Sequence, residues 1–230
     1  MTPLDPRLYL IVDPVHGGGD PLAVVRAAVA GGVTAVQVRA PGATGRELVA
    51  GTRAVLDTVR DAGVAVIVDD RLDVALVAGA DGVHLGRDDV PPEDARRVAG
   101  PGLSIGWSMT GPDDLDAARE APAGTIDLLG IGPVFATATK PDAAPPTGVD
   151  GLRRLWADAR ALGLPAVAIG GIGPDNAAEV LATGVPGLCV SSAIVAAPDP
   201  GAAARALRSA LVSARPWQGT EKHAQGGGPD

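Results

Sequence analysis

The chain has 230 residues, of which 46% are hydrophobic and 20% charged, which is enough apolar material for one large core or two small ones. Aromatic residues make up only 2%, so the core must be aliphatic, and the 32 glycines and 21 prolines favour many short elements joined by tight turns. A formal net charge of −8 argues against a nucleic-acid-binding surface, and the lone Cys189 excludes an intramolecular disulfide and a thiolate metal cage.

The N-terminal region contains no segment that could cross a membrane. Its first apolar run, Leu8 to Val12, has about a quarter of the length that a membrane-spanning helix needs, and no cleavage-site pattern follows it. A single cysteine is compatible with a reducing compartment. We therefore expect a cytoplasmic protein that binds neither a membrane nor a nucleic acid.

One pattern recurs along the chain: an alanine-rich helical segment ends near a glycine, a short turn follows, and an apolar strand comes next. The pattern predicts strands at 8–12, 35–38, 65–68, 82–85, 104–107, 127–131, 166–169 and 187–190. It predicts helices near 21–30, 45–62, 72–79, 91–98, 113–119, 150–161, 174–182 and 200–214. Strands that alternate with helices in this way are parallel and joined by crossover connections.

Eight such units in about 215 residues predict an α/β fold of the (β/α)8 TIM-barrel type, formed as a single domain over residues 1–215. A doubly wound open sheet is the alternative, which the sequence disfavours because no Gly-x-Gly-x-x-Gly turn follows the first strand. Residues 216–230 are polar and end in Gly-Gly-Gly-Pro-Asp, so we predict a disordered tail there.

Polar residues and glycines follow most of the predicted strands. In a barrel these positions meet at one end, where catalytic groups lie, so we expect them to converge although they are scattered in sequence. The candidates are Gln37, Arg39, Asp69, Asp70, His84, Asp89, Ser108, Thr110, Thr137, Thr139, Lys140, Gly170, Gly171, Ser191 and Ser192.

The loops after the last two predicted strands favour phosphate binding. Gly170 and Gly171 allow backbone N–H groups to approach an oxyanion, and Ser191 and Ser192 add hydroxyls before a predicted helical turn. These loops form the usual phosphate site of barrels. The alternative is that the glycines only turn the chain.

Asp70 and Asp89 follow neighbouring predicted strands and suit a hard divalent cation such as Mg²⁺, which takes one or two carboxylates plus substrate oxygens. Alternatively, Asp70 caps the helix that begins at Arg71, although capping would not explain Asp89. His84 is a weaker candidate, because a single histidine at a strand end is more often a hydrogen-bonded core residue than a metal ligand.

The segment from Gly130 to Lys140 closely resembles the Gly-x-Gly-Pro-x-x-x-Thr-x-Thr-Lys signature of the thiamine phosphate synthase family. Further segments match the family in order, and the resemblance covers residues 8 to about 198. They are Leu8-Tyr-Leu-Ile-Val-Asp13, Gln37-Val-Arg39, Val68-Asp-Asp-Arg71, Gly82-Val-His-Leu-Gly-Arg-Asp-Asp89, Ile105-Gly-Trp-Ser108, Ile169-Gly-Gly-Ile172 and Ser192-Ala-Ile194.

The resemblance implies a transferase with a (β/α)8 fold and Mg²⁺ as cofactor. Its two small-molecule substrates would be a hydroxymethylpyrimidine pyrophosphate and a thiazole phosphate or its carboxylate form. A dissociative, cation-like displacement would join them into thiamine phosphate and release pyrophosphate. A homo-oligomer is compatible with the resemblance.

The resemblance also implies roles for single residues. Gln37 and Arg39 would contact the pyrophosphate, and Ser108 and Lys140 would contact the pyrophosphate and pyrimidine region. Arg39, Ser108 and Lys140 would be catalytic, and Asp69 would lie beside this substrate. The metal ligands would be Asp70 and Asp89. The thiazole phosphate would lie against Thr137, Thr139, Gly171, Ser191 and Ser192.

Two positions depart from the family pattern. Pro41 stands where the family has lysine, and Asp69 stands where it has asparagine, so the pyrophosphate side loses one positive charge and gains one negative charge. Arg87 would restore one positive charge. The departures leave two alternatives open: a paralogue of the thiazole tautomerase kind, and a non-catalytic protein that binds thiazole or thiamine phosphates.

Overall fold

The computed structural model describes residues 2–137, 139–140 and 144–214. Eight parallel strands form a closed barrel in chain order, with the last strand paired to the first. They are β1 (Leu8–Val12), β2 (Ala35–Val38), β3 (Ala65–Asp69), β4 (Gly82–Leu85), β5 (Ser104–Met109), β6 (Leu128–Ile131), β7 (Ala166–Ile169) and β8 (Gly187–Val190). The predicted barrel is confirmed, and the open-sheet alternative is wrong because β8 pairs with β1.

Helices follow the strands and pack around the barrel. They are α1 (Pro21–Ala30), α2 (Gly45–Val59), α3 (Leu72–Ala78), α4 (Pro92–Ala99), α5 (Pro112–Glu120), α6 (Gly148–Ala161), α7 (Ala177–Leu181), α8 (Ser192–Val195) and α9 (Pro200–Ala214). No described helix is long and apolar enough to cross a membrane. The predicted disordered tail, 216–230, lies outside the described residues.

The sequence determines local helix ends through side-chain caps. The hydroxyl of Thr44 accepts from the backbone N–H of Glu47, and the Glu47 carboxylate accepts from the backbone N–H of Thr44, which starts α2 with a capping box. Helix α7 begins later than predicted, because the Asn176 side chain accepts from the N–H of Gly173 and donates to the carbonyl of Gly171. That pair of bonds holds residues 173–176 as a turn.

Side chains alternate along each strand between the barrel interior and the layer under the helices. The outer layer forms the larger core, made mostly of Val, Leu and Ala. The interior core is smaller and comprises Tyr9, Ile11, Ala35, Ile67, Leu128, Val167 and Cys189. Polar residues occupy interior positions nearer the strand ends, so the barrel has an apolar floor and a polar opening at its C-terminal end.

Candidate active site

Gln37 lies at an interior position of β2, where it pairs in register with Ile11 and Ile67. Its side chain is buried, and the amide nitrogen donates to the Tyr9 hydroxyl at 3.4 Å. Sequence reasoning missed Tyr9. The signal for it was its inward position on the first strand, beside the strand that carries the predicted Gln37. This pair forms the floor of the polar opening.

Arg39 and Asp69 form an ion pair across the ends of β2 and β3. The guanidinium Nε lies 3.0 Å from the Asp69 carboxylate Oδ2, and both side chains are largely buried. Burial and the negative charge of Asp70 raise the pKa of Asp69 to about 7, although the charge of Arg39 acts in the opposite direction. The carboxylate that departs from the family pattern therefore contacts the cation predicted to bind pyrophosphate.

Asp70 has a backbone φ of 60°, in the left-handed region that residues other than glycine rarely adopt. Its N–H donates to the carbonyl oxygen of His84 at 2.8 Å, which fixes this conformation. Helix α3 has Arg71 as its N-cap residue, with no side-chain capping bond. The capping alternative for Asp70 is therefore wrong. Strained backbone of this kind is typical of functional sites.

The loop after β4 places the Asp89 side chain next to that of Asp70. The N–H of Gly86 donates to the Asp89 Oδ2 at 2.7 Å, and the side chains of Asp70 and Asp89 lie within hydrogen-bonding range of each other. Burial and the Asp89 charge raise the pKa of Asp70 to about 6. Two carboxylates this close suit a shared cation, which would relieve their repulsion. The described residues contain no group of three or more His, Cys, Asp or Glu side chains that could hold a metal.

Ser108 lies at an interior position of β5 and contacts His84 of β4. The distance between Ser108 Oγ and His84 Nε2 is 3.1 Å. Burial, with a contribution from the charge of Lys140, lowers the pKa of His84 to about 4, so the imidazole is neutral at pH 7. The expectation that His84 is a hydrogen-bonded core residue agrees with this contact.

The loop after β5 is held by the buried carboxylate of Asp114, a residue that sequence reasoning missed. Asp114 Oδ2 accepts from the N–H and hydroxyl of Thr110 and from the N–H of Gly111. Its Oδ1 accepts two bonds from Arg87, at 3.0 and 2.6 Å. The positive charge that Arg87 was expected to restore is therefore held by Asp114.

We expect Asp114→Ala to lower the free energy of unfolding by about 2–4 kcal/mol, because the buried carboxylate accepts five hydrogen bonds from Thr110, Gly111 and Arg87 that would all be lost. Urea denaturation measures this change. Asp113→Ala is the matched control: Asp113 is the exposed neighbour of Asp114 in the first turn of α5, and its loss is expected to cost under about 1 kcal/mol. Equal effects of the two variants would contradict the role assigned to Asp114.

The loop after β6 contains Thr137, Thr139 and Lys140. The N–H of Thr139 donates to the Thr137 hydroxyl at 3.2 Å, and the side chains of Thr139 and Lys140 are exposed. The positive charge of Lys140 lowers the pKa of Asp69, Asp70 and His84, although other effects dominate at the two aspartates. Lys140 therefore lies close enough to influence the carboxylates of Asp69 and Asp70 at the end of β3.

The loops after β6 and β7 pack tightly through Gly170 and Gly171, which have φ values of 100° and 64°. A Cβ on Gly171 would lie 2.7 Å from the carbonyl oxygen of Ala136, so a side chain is excluded there. The N–H of Phe135 donates to the carbonyl oxygen of Gly170 at 3.0 Å. The glycines thus turn the chain, and they also bring the Thr137 loop against β7.

The two serines after β8 have different surroundings. The Ser191 hydroxyl donates to the carbonyl oxygen of Ile11 at 3.0 Å, which ties β8 to β1. Ser192 begins α8, and its side chain is exposed at the rim of the barrel. The Ser191 hydroxyl therefore donates its proton to the backbone, whereas the Ser192 side chain is exposed.

Known proteins resemble this chain over most of its length. A family model described as thiamine monophosphate synthase matches residues 8–194. The thiamine-phosphate synthase of Moorella thermoacetica is 46% identical over 209 residues, which is 90% of this chain and 97% of the relative. That of Albidiferax ferrireducens is 47% identical over 206 residues, covering 89% and 91%. The solved structure of a thiamine phosphate pyrophosphorylase from Pyrococcus furiosus is 39% identical, with a TM-score of 0.77 over 90% of this chain and 96% of that one.

These relatives match nearly the whole barrel, and they include all eight strand ends at which the polar residues converge. The resemblance predicted from the segment between Gly130 and Lys140 is confirmed. The chain therefore belongs to the thiamine monophosphate synthase family.

Proposed function

We propose that this chain is a thiamine-phosphate synthase, a transferase that joins a pyrimidine pyrophosphate to a thiazole phosphate. One observation supports this most: the carboxylates of Asp70 and Asp89 face each other beside Arg39 and near the charge of Lys140. A paired acid site next to two cations suits a metal-bound pyrophosphate better than it suits a neutral substrate.

The leaving group is the pyrophosphate. When the pyrimidine CH₂–O bond breaks, its electron pair leaves with the pyrophosphate oxygen, and the thiazole nitrogen then donates its lone pair to the CH₂ carbon. Arg39 and Lys140 bind the departing negative charge, and the Ser108 hydroxyl donates to it. Gln37, whose amide donates to the Tyr9 hydroxyl, would also contact the pyrophosphate, and Asp69 holds the Arg39 guanidinium.

The reaction needs no strong general base, because the nucleophile is a ring nitrogen that has no proton to lose. The chain therefore acts mainly by holding the two substrates in line and by neutralising the leaving group. His84 is partly buried, its ring contacts Ser108, and its pKa of about 4 keeps it neutral, which agrees with a site that transfers no proton to histidine.

Asp70 and Asp89 would hold Mg²⁺. The close pair of carboxylates and the raised pKa of Asp70 fit a divalent cation, and two protein carboxylates leave room for pyrophosphate oxygens among the ligands. The bound ion would supply Lewis-acid stabilisation of the departing pyrophosphate. Within this site the chain itself sets the position of both carboxylates, through the Asp70 backbone and the Gly86 N–H.

The thiazole phosphate would lie on the other side of the opening. Thr137, Thr139 and Ser192 supply hydroxyls there, and Gly171 brings the loops after β6 and β7 together. Ser191 supports the rim through its bond to Ile11, and its hydroxyl oxygen retains the capacity to accept a hydrogen bond. The two substrates thus bind at opposite sides of the same polar opening. The cytoplasmic location and a homo-oligomer stay predictions.

A second candidate is the tautomerase-like paralogue, and the Arg39–Asp69 ion pair is the observation that favours it. With Pro41 in place of a cation and Arg39 already paired, the pyrophosphate side is less positive than the family pattern requires. The retained Asp70, Asp89, Ser108 and Lys140 favour the synthase. Purified protein mixed with both substrates and Mg²⁺ distinguishes the two, because only a synthase releases pyrophosphate. A binding protein would take up either phosphate and release nothing.

The carboxylates make Mg²⁺ binding dependent on pH. Because burial and neighbouring charges raise the pKa of Asp69 to about 7 and that of Asp70 to about 6, the folded metal-free protein retains protons that the unfolded chain has lost. The contribution of these groups to stability therefore falls as pH rises from about 4 to about 7. Mg²⁺ bound to Asp70 and Asp89 must displace the Asp70 proton.

We consequently expect Mg²⁺ to bind more tightly at about pH 8 than at about pH 5.5, with proton release at the lower pH. Calorimetry in two buffers of different ionisation enthalpy measures both the affinity and the protons released. Mg²⁺ affinity that stays constant across this interval would contradict the placement of the ion on these carboxylates.

A further inference from the structure

We propose that His84 is a positioning residue for the reaction: its Nε2–H donates to the Ser108 oxygen, which leaves the Ser108 hydroxyl proton directed at the anionic substrate. This inference rests on the proposed function, since it concerns the group that Ser108 contacts. The observations that support it are the contact between the two side chains, the space that two glycines create for the ring, and the unpaired second nitrogen of the imidazole.

The first observation is the placement of the ring across two neighbouring strands. His84 in β4 pairs in register with Gly106 in β5, and Ser108 pairs with Gly130 in β6. A Cβ on Gly106 would lie 2.3 Å from His84 Nδ1, and a Cβ on Gly130 would lie 3.0 Å from His84 Cε1. The ring therefore occupies the space that side chains would fill at both glycines. This position brings Nε2 to 3.1 Å from Ser108 Oγ.

The second observation concerns the proton on the ring. His84 Nδ1 is buried and has no hydrogen-bond partner among the described residues. A neutral imidazole has one N–H and one acceptor nitrogen. An unpaired buried N–H is rarer in proteins than an under-satisfied acceptor, so the proton belongs on Nε2 and the lone pair on Nδ1.

The position of this ring proton determines whether Ser108 can donate a hydrogen bond to the substrate. If Nε2 donates, Ser108 Oγ accepts that bond, and its own proton is free to point into the opening. If the proton were on Nδ1, Nε2 would accept the Ser108 proton, and only lone pairs would face the pyrophosphate. The first arrangement attracts an anion and the second repels it. His84 thus fixes the direction of a donor without touching the substrate.

Two variants separate this role from simple packing. In His84→Gln the amide nitrogen reaches the place of Nε2, whereas in His84→Asn it stops near the place of Nδ1. We expect His84→Gln to keep turnover within about threefold of the unaltered chain, and His84→Asn to lower kcat about 10- to 100-fold with the KM for the thiazole phosphate unchanged. In a Ser108→Ala background, His84→Asn is expected to cost nothing further.

Nitrogen-15 NMR of the histidine rings tests the proton position in the unaltered protein without any need for activity. The chain has three histidines, and the spectrum of His84→Gln identifies the His84 signals by their absence. We expect a protonated Nε2 and an unprotonated Nδ1. A proton on Nδ1, or an additive effect of His84→Asn and Ser108→Ala on kcat, would overturn the inference. Absence of turnover by the unaltered chain would instead overturn the proposed function, and the NMR result would still decide the state of His84.

Discussion

Lys140→Ala is expected to lower the rate of thiamine phosphate formation about 100- to 1000-fold, the usual effect of removing one donor that stabilises a developing charge. Lys140 is exposed, and its positive charge lowers the pKa of Asp69 and Asp70. The pyrophosphate would leave beside these two carboxylates. Without this ammonium group, the negative charge that develops as the CH₂–O bond breaks has one cation fewer to neutralise it. Steady-state kinetics of pyrophosphate release gives the size of the effect.

Lys140→Arg is the matched control, because it keeps the charge on a side chain of similar reach. The arginine variant is expected to lose much less activity than the alanine variant. Both are expected to melt at the temperature of the unaltered protein, since the side chain is exposed and removes little apolar surface from water. An alanine variant that keeps nearly full turnover would remove Lys140 from the proposed mechanism.

Asp89→Asn is expected to have the second large effect: Mg²⁺ binding weakens strongly, and turnover falls about 100-fold. The asparagine oxygen can still accept from the Gly86 N–H, so the loop keeps its shape while the negative charge opposite Asp70 is lost. Calorimetry with Mg²⁺ and steady-state kinetics measure the two losses separately.

Asp88→Asn provides the comparison, because Asp88 is the exposed neighbour of Asp89 and its replacement changes the net charge equally. We expect this variant to bind Mg²⁺ and turn over like the unaltered chain. If both variants bind Mg²⁺ equally well, the ion does not depend on Asp89, and the site proposed between β3 and β4 is wrong.

The strands were predictable because each one is a short apolar run after a glycine-ended helix, and parallel strands buried on both faces have this composition. The structure extends β5 to Met109 and β3 to Asp69, beyond the predicted 104–107 and 65–68, because these residues continue the pairing with β6 and β4. Strand number and order then follow from the alternation with helices.

Much of the candidate site was also predictable, since chemistry in this fold lies at the strand ends and polar residues stand out there. The contacts between these side chains were not predictable. The Arg39–Asp69 ion pair and the Arg87–Asp114 bonds join residues about 30 positions apart, and only the packing of neighbouring βα units brings them together. The left-handed backbone at Asp70 likewise results from its bond to His84 in the next strand.

The role of Gly106 and Gly130 was also not predictable from the sequence. Both lie in segments that match the family, but the sequence alone does not show why a side chain is missing at these two positions. Their role depends on the His84 ring from β4, which fills the space that a side chain would occupy at both glycines. Packing that joins three strands is decided by the closure of the barrel, which no local pattern encodes.

The most direct test is the formation of thiamine phosphate by the purified, unaltered chain, supplied with the pyrimidine pyrophosphate, the thiazole phosphate and Mg²⁺. We expect thiamine phosphate and pyrophosphate in equal amounts, with no product when Mg²⁺ is removed by a chelator. If the protein binds the thiazole phosphate but forms neither product, it has the family's barrel without the family's reaction, and the roles proposed for Arg39, Lys140 and the Asp70–Asp89 pair would be wrong.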